Sequence, residues 1–277
     1  MSMKGKLEFV CRTDVGQVRD HNEDYISYDA ELGFSLLADG MGGLNAGEVA
    51  SSMAVHLLMD DLTALKSGKS TLSAELDSDA LGVPLSCRMI RHLVERANSA
   101  VFHVSQTQPQ CRGMGTTIVV GMYEDNHLIV GHIGDSRVYR YRGSNLEQIT
   151  RDHSYVQELI DKGLFTKEQA RASDKKNVVT RALGVGPTVE VEVREYPVKV
   201  GDIYLMCSDG LTDLVTDEDI ETTFRESKGN MNEIAGHLVN LANASGGKDN
   251  ISVILTKVVK PFSTQEGLFE KIANWFE

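Results

Sequence analysis

The stretch Ala38-Asp39-Gly40-Met41-Gly42-Gly43 constrains this chain more than any other, because it sets a carboxylate at the end of the apolar run 34–38 and follows it with backbone free to bend. An Asp-Gly pair after a strand is by itself commonly a turn. Here the layout recurs. Residues 203–208 run into Asp209-Gly210 and residues 128–133 run into Gly134-Asp135, so each of these strands brings an acidic group to its carboxyl end. Asp oxygens and an exposed glycine carbonyl are the ligand types that the hard cations Mg²⁺ and Mn²⁺ take.

Composition narrows the partners. The 28 basic and 40 acidic residues leave a net charge of −12, which argues against a nucleic-acid surface and for solubility or an acidic, cation-collecting site. At 277 residues the chain has ample length for a hydrophobic core. Cys11, Cys87, Cys111 and Cys207 form no Cys-x-x-Cys pair and no run with zinc spacing, so reduced thiols in a cytoplasmic protein are expected. Residues 1–6 lack the apolar core of a signal peptide, and nowhere do about 18 apolar residues follow one another, so no stable membrane insertion is expected.

Short alternating runs predict strands at 7–13, 25–29 and 34–38. Asn45 reads as a helix cap with Glu48 three residues on, and Val49, Met53 and Leu57 repeat behind it at helical spacing, which predicts a helix over 46–61. A polar surface excursion over 67–86 leads to a second helix marked by Ile90, Leu93, Val94, Ala97, Val101 and Val104. Strands at 116–123, 128–133 and 137–142 follow, joined by turns too short for a parallel crossover and so expected to pair antiparallel. A polar, helical stretch over 152–183 with a cap at Thr166 precedes strands at 189–196 and 202–208, helices at 217–224 and 231–244, and a last strand at 251–260. The expected fold class is α+β: an antiparallel β-sandwich flanked by helix pairs on both faces, an α-β-β-α arrangement. One domain over 1–261 is expected, with 262–277 forming an amphipathic helix whose apolar face carries Leu268, Ile272, Trp275 and Phe276.

Asp24, Asp39, Asp135, Asp209 and Asp249 all sit where a strand begins or ends beside Gly or Asn. If a sandwich gathers those ends, the carboxylates repel one another unless cations neutralise them. A bridged pair of divalent ions would offset that repulsion and activate water at neutral pH.

The motifs Arg19-Asp20-His21-Asn22-Glu23-Asp24, Ala38-Asp39-Gly40-Met41-Gly42-Gly43, Gly115-Thr116-Thr117, Gly134-Asp135-Ser136-Arg137, Ser208-Asp209-Gly210 and Asp249-Asn250 resemble, in order, those of the metal-dependent protein phosphatases of the PP2C type. The Asp-Gly-Met-Gly-Gly form is similar to the bacterial branch, and Leu44-Asn45-Ala46-Gly47-Glu48 is similar to phosphatases paired with a Ser/Thr kinase beside type VI secretion systems. The resemblance implies a serine/threonine phosphatase using two or three Mn²⁺ or Mg²⁺ ions. Asp39 would bridge two of them with the Gly40 carbonyl on one, Asp24, Asp209 and Asp249 would complete the pair, and Asp135 with Asp209 would hold a third. Glu23 and Asn250 would support these ligands from behind. Arg19 would clamp the phosphate, a task suited to its guanidinium fork. A water between the first two ions would attack phosphorus in line. Residues 152–184, including His153, Asn177, Thr180 and Arg181, match the family's flap, which is linked to substrate choice.

One departure from the family pattern stands out. Where many relatives carry a His that protonates the leaving oxygen, this chain has Met41 and Leu44. A serine alkoxide leaves poorly without a proton, so a metal-bound water is the first candidate donor and His21 the second. The expected partners are phosphorylated proteins, targets of a cognate Ser/Thr kinase. The competing reading is a catalytically weak, phosphatase-like regulator that only binds phosphoproteins, which the complete carboxylate set argues against. A cysteine phosphatase is excluded, because the positions six residues after the cysteines hold Gln17, Leu93, Thr117 and Asp213 rather than Arg.

Overall fold

The apolar runs of the sequence become strands of two antiparallel sheets in the computed structural model, which describes residues 2–43, 46–72, 76 and 82–263. One sheet runs in spatial order β1 (Leu7–Asp14), β11 (Ile251–Val258), β10 (Ile203–Cys207), β7 (Arg137–Arg142) and β8 (Asn145–Gln148). The other runs β2 (Asp24–Asp29), β3 (Phe34–Met41), β5 (Ile118–Glu124), β6 (His127–Ile133) and β9 (Glu192–Pro197), with β4 (Gly115–Thr116) paired to the end of β3.

Successive side chains of a strand face opposite ways, and in the central strands both faces are covered. On β10, Tyr204 and Met206 fill the layer between the sheets while Leu205 and Cys207 join the outer core. On β3, Leu37 points inward and Leu36 and Ala38 outward. Such strands read as unbroken apolar runs rather than alternating ones. Helices α1 (Ala46–Lys66) and α2 (Leu85–Thr107) cover the β3 sheet with Leu58, Leu62, Ile90 and Val94. On the far side, α6 (Asp217–Glu226) and α7 (Met231–Ala244) cover the β10 sheet with Phe224, Ile234 and Leu238. The α-β-β-α arrangement is therefore present. Among the described residues three short α-helices remain: α3 (Tyr155–Asp161) and α4 (Lys167–Arg171) between β8 and β9, and α5 (Asp209–Thr212) directly after β10.

Several details differ from the sequence expectation. Asp39 and Gly40 are not a turn. β3 continues through Met41, because Asp39 pairs with Asp24 of β2 and Gly40 and Met41 pair with Thr116 and Gly115 of β4. The short link Gly134-Asp135-Ser136 is not a hairpin either, since β6 pairs with β5 and β9 whereas β7 pairs with β10 and β8. The link crosses from one sheet to the other, as strands at the corners of a sandwich can. Strand β8 lacks the apolar alternation that would announce it. It is folded back by Gly143-Ser144, both at positive φ, the two-residue turn that matches strand twist. Helix α1 runs to Lys66, beyond the expected 61. The Asn45 cap and residues 264–277 lie outside the described residues. Among the described residues, no helix is long and apolar enough to cross a membrane.

One close approach shapes the edge where the aspartates emerge. A Cβ on Gly210, at the start of α5, would lie 2.0 Å from the Asn250 carbonyl oxygen, so only glycine lets α5 press against the chain entering β11. Forcing extra atoms against backbone makes Gly210→Ala less stable by about 1–3 kcal/mol. Gly236→Ala, inside α7 where a Cβ meets nothing within 4 Å, gains stability of about 0.5–1 kcal/mol. Urea unfolding checks both, and indistinguishable midpoints would contradict the packing described.

Candidate metal centre

Strand register alone carries the five aspartates to one edge of the sandwich. In one sheet Asp24 faces Asp39 across the β2–β3 ladder. In the other, Cys207 at the end of β10 faces Val253 near the start of β11, so Asp209 just past one strand and Asp249 just before the other emerge side by side. Arg137 at the start of β7 also faces Cys207, which brings the crossing that bears Asp135 to the same edge.

The carboxyl groups are anchored as well as gathered. The Asp39 backbone oxygen accepts hydrogen bonds from the Thr116 hydroxyl and the Thr117 amide, both at 2.8 Å, and the Thr117 hydroxyl accepts the Asp39 amide at 3.0 Å. Ser208 Oγ donates to Asp24 Oδ2 at 2.8 Å, yet Asp24 Oδ1 is buried without any partner. Burial, with repulsion from Asp209 and Asp249, pushes the Asp24 carboxyl up to about 7. Burial, with Asp213 and Asp249 nearby, pushes Asp209 up to about 6. Burial and repulsion from Asp24, Asp209 and Asp135 hold Asp39 well above the usual carboxylate range, and burial with Asp209 does the same to Asp135. Acidic groups gathered this closely, two of them buried and two half-buried, are poorly satisfied as anions, and an orphaned carboxylate oxygen among them could take a cation. The donors are all oxygens, which fits Mg²⁺ or Mn²⁺ and disfavours softer ions.

The loop before β2 is pinned by Asn250. Its side-chain amide donates to the Val15 and His21 carbonyls, both at 2.9 Å, and its oxygen accepts the Glu23 amide at 2.8 Å. That loop carries Arg19, whose Nη2 pairs with Asp249 Oδ2 at 2.8 Å. His21 is exposed. The Glu23 carboxylate lies against Gly47 in the first turn of α1, near the Gly47 and Glu48 amides, and burial raises its pKa. Anions are favoured at a helix N-terminus, so Glu23 fastens α1 to the site edge. Gly40 continues β3 behind Asp39, with its amide donating to the Glu23 carbonyl at 3.1 Å.

The flap segment is tied to the crossing that bears Asp135 on both of its flanks. Arg137 forks onto Asp152, with bonds of 3.0 and 2.7 Å from Nε and Nη2, and His153 bonds Gly134 through its amide at 2.9 Å and its Nδ1 at 3.1 Å. His153 is thus buried in the flap root, its ring stacked on His132 at 4.6 Å, rather than turned to the site opening. Arg181 pairs with Glu190 at 2.9 Å and approaches His153 Nε2, while Asn177 and Thr180 are exposed on the flap. His132, His153 and Glu192 are close enough to suggest a second cation site. The hydrogen bonds argue otherwise. Because the Gly134 N–H donates to His153 Nδ1, the neutral ring carries its proton on Nε2, toward Glu192 at 3.5 Å, and no lone pair is left there for a metal.

A cavity of about 330 Å³ opens between Asp135 and Asp209 on one side and Val156, Arg171 and Lys176 of the flap on the other. Lys176 spans it to Asp213 at 2.6 Å, and Arg171 to the Val215 carbonyl at 3.4 Å. Sequence reasoning missed these two basic residues and Ser208 as an orienting group for Asp24. An isolated Lys, Arg or Ser carries no pattern that distinguishes it from a solvated side chain.

Known proteins resemble this chain in sequence and fold. A family profile described as Protein phosphatase 2C matches residues 16–242. The serine/threonine phosphatase Stp of Listeria welshimeri is 37% identical over 89% of this chain and 94% of its own length. The crystal structure of the catalytic domain of the phosphatase PstP in complex with two manganese ions is 37% identical, with a TM-score of 0.75 over 92% of this chain and 99% of that one. PppA, described as a key regulatory component of the type VI secretion system in Pseudomonas aeruginosa, is 31% identical, with a TM-score of 0.74 over 91% of this chain and 98% of that one. With the match spanning most of the chain and the fold shared throughout, the protein belongs to the protein phosphatase 2C family.

Proposed function

We propose that this metal-dependent serine/threonine phosphatase works through a cation pair held by Asp24, Asp39, Gly40, Asp209 and Asp249, with Asp135 and Asp209 offering a further position. The observation that carries this reading is the group of buried Asp24 with half-buried Asp39 and Asp209, raised in pKa and left with an orphaned oxygen at Asp24 Oδ1. When bound, such ions activate water for in-line attack on phosphorus and neutralise charge in the transition state.

The chain's own residues do the rest. Thr116 and Thr117 fix the backbone of Asp39, and Ser208 fixes the orientation of Asp24. Asn250 holds the loop so that Arg19 reaches the site edge, where a guanidinium can grip two phosphate oxygens. The positions where many relatives carry a His do not supply one here: Met41 ends β3, position 44 is Leu, and His21 is exposed on the loop. We assign that proton to water in the site.

The substrates are phosphorylated proteins, the targets of a cognate Ser/Thr kinase. Likeness to PppA supports a link to type VI secretion. The working compartment is the cytoplasm, a reading supported by the four free cysteines. The regulator alternative loses ground to the complete carboxylate set, since a binding module has no need to keep five acidic groups together.

Hydrolysis of p-nitrophenyl phosphate and of a phosphoserine peptide requires Mn²⁺ or Mg²⁺ and stops in chelator. Asp39→Asn and Asp209→Asn reduce both to background while circular dichroism stays unchanged, and activity surviving in both variants would overturn the assignment. His21→Ala lowers turnover on the phosphopeptide by less than about tenfold, and a loss beyond about a hundredfold would make His21 the proton donor.

Stability reports the same cluster. Asp24 has a pKa of about 7 when folded against 3.8 ordinarily, so between those values the folded chain binds more protons than the unfolded one. Stability in chelator therefore falls as pH rises through that window. Mn²⁺ competes with those protons, so the rise in Tm that it causes is larger at about pH 8 than at about pH 5.5. Calorimetry at the two pH values checks the sign.

A further inference from the structure

Arg19 makes the only ion pair to the five clustered aspartates among the described residues. Both oxygens of its partner, Asp249, are already engaged. One oxygen, Oδ1, accepts the Asn250 amide at 2.9 Å, and the other, Oδ2, is taken by Arg19 at 2.8 Å. A cation coming to Asp249 therefore either displaces the guanidinium from Oδ2 or binds the same carboxylate beside a like charge. The positive field of Arg19 also reaches Glu23 and Asp39. Asp24 differs, because it presents a buried oxygen with no partner.

We propose that Arg19 is a displaceable counter-ion of the cation-free centre and so opposes divalent-ion binding, a role separate from gripping phosphate. The inference rests on the two-cation reading above. The two side chains are 49% and 31% exposed, so water screens the pair and it holds weakly. Weakness is what the role requires, because a strong pair would keep the ion out. An ion that takes Asp249 frees the guanidinium at the edge of the same site, where a phosphate can use it. By linkage, a phosphate group that draws Arg19 away also favours ion binding.

Titration of MnCl₂ into the full chain by isothermal calorimetry decides the matter, with circular dichroism as the control for folding. Arg19→Gln, which removes the charge, is expected to bind Mn²⁺ roughly two- to fivefold tighter than the unaltered protein, the scale set by a half-exposed ion pair. Arg19→Lys, which keeps the charge, stays close to the unaltered protein. If the unaltered protein binds Mn²⁺ and Arg19→Gln binds it equally or more weakly, Arg19 does not oppose the ion and this inference alone fails. If neither binds Mn²⁺, the two-cation reading fails and takes this one with it.

Discussion

Repulsion among carboxylates that cannot move apart is the interaction on which the rest of this structure depends. Asp24 and Asp39 face each other because two strands are hydrogen-bonded in one register, and sliding β2 by one residue would turn every side chain of that strand over. Asp209 and Asp249 are locked by the ends of neighbouring strands in the opposite sheet. The fold thus holds charge where charge is unfavourable. The large apolar cores on either side of the sheets and between them supply the stability that offsets this local cost.

Around that cluster the supporting residues divide by what they hold. Thr116, Thr117 and Ser208 act on the aspartates themselves, whereas Asn250 and Glu23 act on the elements that frame them, one pinning the Arg19 loop and the other lying against the start of α1. A position fixed by strand pairing needs few local bonds, and one on a loop needs many. Asn250 accordingly makes three hydrogen bonds to a loop that has no ladder of its own.

Much of this was legible in the sequence, and the failures have physical causes. The layered α-β-β-α arrangement follows from apolar runs and helical spacing, because burial on both faces leaves an unmistakable signature in the central strands. The gathering of Asp24, Asp39, Asp135, Asp209 and Asp249 follows from their repeated place at strand ends. The course of the chain at Asp39 and at Asp135 did not follow. Whether Asp39-Gly40 bends or continues depends on β4 arriving from far along the chain, and whether Gly134-Asp135-Ser136 folds back or crosses over depends on which sheet takes β7. His153 shows the same limit. Its inward stack on His132 and its bond to Gly134 are tertiary facts that local pattern does not encode.

The crossing at Asp135 is also a short tether between the two layers, and consecutive residues of the flap root hold both of its flanks, His153 through the Gly134 backbone and Asp152 through the Arg137 side chain. A carboxylate mounted there sits between two anchored neighbours. Its location is set jointly by how the layers are stacked and by where the neighbouring insertion sits, so a molecule that lodges on the insertion pulls on the aspartate through bonds rather than through space.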